Sequence, residues 1–270
     1  MTDISIDPPG HDMAGTQYWD KTWKNVPMPS PFDPELPSLD DTFNMRIHAI
    51  FQHIFNLQPI ENALEIGCAY SIWPRYLRDT QGIEADGIDY SRIGCLRTRA
   101  MWEEMGLKGT VHEADIFNPP ETLQGAYDLV TSFGVMEHFS DTSAALSQAG
   151  MFLKPGGLIL TSIPNLSGGL GFLQRWLDKE IYDIHIPLDR EQITQAHEDA
   201  RFEILDSRYL MSCNFTLLRA PKWEKSWKGK ILARILSAPT KLIWLLESEW
   251  RQLPVSQMFS PYILVLARKK

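Results

Sequence analysis

The stretch Ala63-Leu64-Glu65-Ile66-Gly67-Cys68-Ala69-Tyr70-Ser71 is an apolar run that ends in a glycine-containing turn, and Trp73 to Arg78 then has helical character. That order predicts the first strand, tight loop and first helix of a doubly wound α/β sheet. About twenty residues past Gly67, a second apolar run ends in an acid, Gly87-Ile88-Asp89-Tyr90-Ser91. Ligands of such sheets sit outside the carboxyl ends of the strands. A glycine there lets the backbone approach the ligand, and an acid ending the second strand accepts hydrogen bonds from ribose hydroxyls. Glu65, Gly67 and Asp89 therefore mark a site for an adenosine-containing ligand.

The loop narrows the choice of ligand. A dinucleotide fingerprint uses three glycines to rest a pyrophosphate on the helix N-terminus. Here Gly67 stands alone and Tyr70 is bulky, which suits a ligand without phosphate. Further along, Gly109 to Glu113 predicts a short strand, followed by Ala114-Asp115-Ile116-Phe117. An acid beside an apolar side chain suits an adenine, one accepting from the exocyclic amine and the other covering the ring. A fourth strand, Tyr127 to Ser132, leads into Phe133-Gly134-Val135-Met136-Glu137-His138-Phe139, a helix over 141–153, the turn Lys154-Pro155-Gly156-Gly157 and a fifth strand, Leu158 to Ile163.

The pattern Glu65-x-Gly67-x-Ala69-x-Ser71 resembles motif I of the class I S-adenosylmethionine-dependent methyltransferases, with the later glycines replaced by Ala69 and Ser71. Asp115 and Ile116 match the family's motif II. The tract ending in Glu137-His138 and the Lys-Pro-Gly-Gly turn resemble the ubiquinone-biosynthesis-like branch (methyltransferase type 11 or 12). The resemblance covers residues 60–210 and the last strand. It implies a seven-stranded, mostly parallel, Rossmann-like sheet, with S-adenosylmethionine at the carboxyl ends of strands 1 to 4 and S-adenosylhomocysteine as product. It also implies in-line transfer of the methyl group to an N or O nucleophile of a small molecule. The expected cofactor contacts are Glu65, the Gly67-Cys68-Ala69 backbone, Asp89, Tyr90, Asp115 and Ile116, with Ser132, Phe133 and Gly134 passing beneath the sulfonium. Glu65 has a second reading, as the cap of the turn that follows it. The candidate bases are His138 and His185, since histidine is easily poised near neutral pH. Glu137 is read as a loop ligand. Tyr18, Trp19, Asn165 and Tyr182 are candidate substrate contacts. No metal is expected.

The chain has 270 residues, of which 44% are hydrophobic, enough for one large α/β domain with additions. Its net charge of -8 argues against general nucleic-acid binding, which rests on Lys and Arg neutralising phosphates. Cys68, Cys95 and Cys213 have neither disulfide nor metal spacing, and the first residues lack a basic start and an apolar core, so a cytoplasmic protein is expected. Residues 1–58 read as an N-terminal arm with lid helices. The arm holds a short aromatic helix, Tyr18 to Trp23, which either staples the arm down or closes over a ligand, and a second helix over 41–57. His48 and His53 lie in that second helix without metal-ligand spacing. Residues 59–270 read as the methyltransferase domain.

Between strand 6, near 202–209, and strand 7, Tyr262 to Ala267, lies a long connection, 213–258. It carries Trp223, Trp227, Trp244 and Trp250, is rich in lysine (Lys222, Lys225, Lys228, Lys230, Lys241), and reads as two helices divided by Pro239. Four roles are open to it: packing on the sheet edge, covering the substrate site, forming a dimer contact, or lying on a membrane surface as a basic amphipathic helix. The last would suit a lipid-like acceptor. Two other functions remain beside a small-molecule methyltransferase. A nicotinamide-dependent oxidoreductase is disfavoured by the missing glycines. A non-catalytic cofactor-binding or partner-binding protein of the same fold would keep these residues, because methyl transfer needs few fixed catalytic side chains. The Asn/Asp-Pro-Pro-Tyr tetrad of amino-group methyltransferases acting on DNA and protein is replaced by Ser132-Phe133-Gly134-Val135.

Overall fold

The computed structural model describes residues 12–220, 226–249 and 253–270, so the sequence readings on Lys222, Trp223, Lys225 and Trp250 lie outside the described residues. The strands are β1 (Ala63–Ile66), β2 (Ala85–Asp89), β3 (Val111–Glu113), β4 (Tyr127–Phe133), β5 (Leu153–Pro164), β6 (Phe202–Leu210) and β7 (Tyr262–Lys269). They form one sheet in the order β3-β2-β1-β4-β5-β7-β6. β1 to β5 run parallel, and β7 enters antiparallel between β5 and β6. The chain winds outward from β1 to β3 and then returns to place β4 on the other side of β1. That reversal opens a crevice at the carboxyl ends of β1 and β4.

The helices are α1 (Thr16–Asn25), α2 (Thr42–Leu57), α3 (Trp73–Gln81), α4 (Arg92–Met105), α5 (Thr142–Phe152), α6 (Gly169–Leu177), α7 (Lys179–Asp183), α8 (Arg190–Asp199) and α9 (Trp227–Glu249). Both faces of the sheet are covered. Leu64, Val130 and Ile159 pack with Phe152 of α5 and Ile193 of α8 on one face. Leu129, Leu158 and Leu160 pack with Ile47, Phe51 and Tyr76 of α2 and α3 on the other. Covering on both faces is why every residue of β1 is buried and the strand reads as a continuous apolar run.

Two elements differ from the sequence expectation. β5 starts at Leu153, so the Lys-Pro-Gly-Gly turn lies inside the strand as a bulge. The register with β4 shifts between Tyr127 and Leu129, and Gly156 takes a φ of +75°. The 213–258 connection holds one α-helix among its described residues, α9, with Pro239 inside it, after a short 3-10 turn at Phe215–Leu217. Two side chains just after the proline anchor the helix to the body of the protein. Trp244 donates from Nε1 to the Cys213 carbonyl (2.9 Å), and the buried Thr240 hydroxyl accepts from the Phe215 N–H (3.0 Å). These contacts hold the helix through a residue that costs it a backbone hydrogen bond.

The β2–β3 edge depends on close backbone approach at Gly109, where a Cβ would overlap the Ala85 carbonyl oxygen. Gly109→Ala is expected to cost about 1–3 kcal/mol, read as a lower urea midpoint at unchanged slope. A midpoint equal to the wild type would contradict this packing.

Candidate active site

A cavity of about 360 Å³ opens at the carboxyl ends of β1, β2 and β4. Its polar edge comes from strand ends: Glu65 and Gly67 at the end of β1, Asp89 and Tyr90 at the end of β2, Asp115 and Ile116 after β3, and Phe133 and Gly134 at the end of β4. The rest of its wall is aromatic and apolar, including Trp19 and Trp23 of α1, Tyr70 and Trp73 of the first loop and helix, and Val135 and Phe139.

The first loop explains how a one-glycine motif works. Gly67 has a φ of +72°, and a Cβ there would run into Val135. Ala69 and Cys68 carry side chains that the glycines opposite accommodate. A Cβ on Gly94 of α4 would stand 2.9 Å from that of Ala69, and one on Gly87 of β2 would stand 2.5 Å from the Cys68 sulfur. The Cys68 side chain therefore points into the core beside Cys95 and Trp102, and it does not line the cavity. Tyr70 also adopts a positive φ, 55°, held by its N–H bond to the Thr98 hydroxyl (3.0 Å) and by the Arg97 guanidinium over its ring (4.6 Å).

Three carboxyl groups near the strand ends are unusual. Glu65 is 4% exposed, and its Oε2 has no partner. Burial raises it to about 8, with a nearby Asp89 adding to the rise and a hydrogen bond from Ser71 opposing it. Asp89 is raised to about 6 by burial, although it accepts from Ser91 N–H (2.7 Å) and Ala69 N–H (3.3 Å). Glu137 is buried beside the end of β4, with Oε2 unpartnered, and burial raises it to about 8.

The candidate bases come together. The Ile186 N–H donates to the Glu137 carbonyl (2.6 Å), which ties the segment after α7 to the end of β4. His138 and His185 then lie ring to ring at 4.3 Å. Each hands its Nδ1 to a backbone carbonyl: His138 to Ile184 (2.7 Å) and His185 to Ile181 (2.6 Å). Nδ1 is therefore the protonated nitrogen, and Nε2 keeps its lone pair. Burial lowers both to about 4, and for His185 the neighbouring His138 adds to the effect. His138 lines the cavity, whereas His185 stands behind it. Glu137, His138 and His185 place a carboxylate oxygen and two imidazole nitrogens within 4.8 Å of one another. This is the one group with the make-up of a metal site among the described residues, and the spacing of these residues in the sequence gave no sign of it.

The arm forms one wall. Asp12 accepts from the Trp19 indole (2.8 Å) and from the Tyr90 hydroxyl. Asp20 accepts from the Ser91 hydroxyl (2.7 Å) and from the Ile93 N–H (3.1 Å) at the start of α4. Trp19 meets His138 edge to face at 5.0 Å. Of the other sequence candidates, Tyr18 leans on Trp19 outside the lining. Ser132 is fully buried and does not line the cavity. Asn165 spends its amide on the Gln257 and Ser260 carbonyls (2.7 and 2.8 Å), tying the end of β5 to the approach to β7. Tyr182 pairs with Arg175 away from the cavity. No lining residue comes from the described part of 213–258. Sequence reading missed Asp12, Trp23, Asn44, Tyr70 and Trp73 as lining residues. Only the aromatic clustering in the arm and around the first loop hinted at them.

Because Glu137 is raised to about 8 from an ordinary value of 4.5, the folded state keeps a proton that the unfolded chain has lost. Stability is therefore full below the unfolded value and falls as pH rises toward the folded one. Glu137→Gln is expected to raise Tm at about pH 9 and to change it little at about pH 4. An equal shift at both would contradict the assignment.

Residues 42–207 match the model of a methyltransferase-domain family. A ubiquinone biosynthesis O-methyltransferase of Nitrosococcus oceani is 24% identical over 195 residues, covering 68% of this chain and 77% of its own. Among solved structures, a putative sarcosine dimethylglycine methyltransferase from Galdieria sulphuraria superposes with a TM-score of 0.60 at 14% identity, over 94% of this chain and 98% of that one. The [4+2]-cyclase SpnF superposes with a TM-score of 0.62 at 18% identity, over 97% of each. At those identities the structural likeness bears on fold alone. The family match spans more than half of the chain, and with the cavity where that fold binds its ligands, the chain belongs to the class I S-adenosylmethionine-dependent methyltransferases.

Proposed function

We propose that this chain transfers the methyl group of S-adenosylmethionine to an oxygen or nitrogen nucleophile of a small molecule in the cavity described above. The observation that carries the reading is the buried Glu65 carboxyl group, whose Oε2 has no partner, beside Asp89 and Asp115 in an otherwise apolar, aromatic pocket. That donor set fits a ligand with a cationic end, ribose hydroxyls and an amine-bearing aromatic ring. It is a poor fit to a pyrophosphate, which a buried acid would repel. S-Adenosylmethionine supplies an electrophilic methyl group on a sulfonium.

The chain's residues do the rest. Glu65 and the Gly67 backbone would hold the methionine portion, Asp89 the ribose hydroxyls, and Asp115 with Ile116 the adenine. Phe133 and Gly134 would form the floor under the sulfonium. Trp19, Trp23, Tyr70 and Trp73 exclude water and shape the space left for an acceptor, so that binding fixes the line of attack and supplies effective molarity. His138 is neutral at pH 7, and its Nε2 is free to accept a proton from a hydroxyl nucleophile. His185 acts through it, as a positioning residue packed ring to ring against it. The O-methyltransferase relative favours an oxygen acceptor. SpnF, a cyclase on the same architecture, keeps a second reading in view, in which the site binds the cofactor and a substrate without transferring the methyl group.

Calorimetry with S-adenosylmethionine and S-adenosylhomocysteine tests the site. Asp89→Ala should weaken both by about tenfold or more (at least about 1.4 kcal/mol). Failure of the wild type to bind either would overturn the reading. With an acceptor in hand, His138→Ala should lower kcat by about a hundredfold or more while leaving cofactor affinity unchanged. An unchanged kcat would remove His138 from the chemistry.

A further inference from the structure

α9 presents an unusual outer face. Its buried side holds Thr240, Trp244 and Glu247, which anchor it to the body of the protein. On the opposite side, Trp227, Ile231, Ile235, Leu242, Leu245 and Leu246 recur at helical spacing and are all exposed, Trp227 by 69%, Ile235 by 62% and Leu242 by 58%. At about 100° per residue they form one stripe facing away from the protein. Such a face on a folded surface normally has an occupant.

Charge indicates which one. The whole chain carries -8, yet residues 227–241 hold four cations, Lys228, Lys230, Arg234 and Lys241, and no acid. Lys230, Arg234 and Lys241 lie along one flank of the stripe and Lys228 along the other. Lys241 also reaches Asp40 (2.8 Å). If a second copy packed stripe to stripe, these flanks would set cation against cation, with no acid from that stretch of helix to match them. An anionic surface meets both features. The apolar stripe enters the boundary between headgroups and acyl chains while the flanking Lys and Arg meet the headgroups. No helix among the described residues is long and apolar enough to cross a membrane. With 23 residues, α9 is about 35 Å long, which suits lying in the interface plane.

We infer that α9 is a membrane-surface helix that docks the protein on anionic lipid through the stripe from Trp227 to Leu246. The docking face is separate from the cavity, since no α9 residue lines it, and its test needs no cofactor. The full chain is floated with vesicles of phosphatidylcholine and phosphatidylglycerol in equal parts, and with phosphatidylcholine alone. The wild type should float with the anionic vesicles and far less with the neutral ones, and about 0.5 M salt should weaken the binding. The double variant Ile235→Glu, Leu242→Glu should lose about tenfold or more in binding at an unchanged Tm, because both side chains already face solvent. A Lys230→Gln, Arg234→Gln variant should lose binding to the anionic vesicles with the stripe intact. Three results would overturn the inference. One is absence of flotation with anionic vesicles, and another is flotation that the double variant leaves unaltered. The third is a wild-type dimer by light scattering that the double variant converts to monomer, which would assign the stripe to a second copy.

Discussion

A buried carboxyl group with an unpartnered oxygen is costly to ionise, and this protein places one at the point its sheet is built around. Glu65 lies near the end of β1, an interior strand between β2 and β4, where helices on both faces exclude water. The loop that leaves it must turn at once, which Gly67 permits, and must pass close to α4 and β2, which Gly94 and Gly87 permit. The result is a pocket with acids at its strand ends and aromatic rings on its walls. An ionised acid in that setting is unfavourable until a cation arrives, and so the resting site holds protons. The strain of the site and its selectivity for a cationic ligand have the same origin.

The same reasoning accounts for the arm. A helix with exposed aromatics is unstable alone. α1 gains its place through Asp20 at the N-terminus of α4 and through Trp19 and Trp23 against the cavity. The arm thereby completes the wall that the strand ends leave open. Its docking bonds involve Ser91, Ile93 and Tyr90, all next to Asp89. Arm position and cofactor site are thus coupled over a few residues, and ordering one favours the other.

Strand ends were legible because a parallel sheet writes them plainly: continuous apolar runs, then a glycine or an acid. Glu65, Asp89, Asp115 and the Phe133-Gly134 pair were all found that way, and all line the cavity. What the sequence hid depends on chain segments that meet only in the fold. Asp12 and Asp20 look like ordinary acids of a polar arm. Asn165 resembles a substrate ligand because it follows a strand, yet its amide bonds link that strand's end to a distant loop. His185 reached His138 through the Ile186–Glu137 backbone bond, which no spacing rule foresees. Pro239 reads as a helix break, but the helix continues through it and is anchored just beyond it by Thr240 and Trp244.

The central claim is that a protonated Glu65 at the end of β1 awaits a cationic cofactor, and proton release on binding tests it most directly. Titrating S-adenosylmethionine at pH 7 in buffers of different ionisation enthalpy gives the number of protons exchanged. The account predicts net release, because a bound cation lowers Glu65 from about 8 and Asp89 from about 6, and it predicts a smaller release for Glu65→Gln. Binding with no proton exchange, or with uptake, would contradict it.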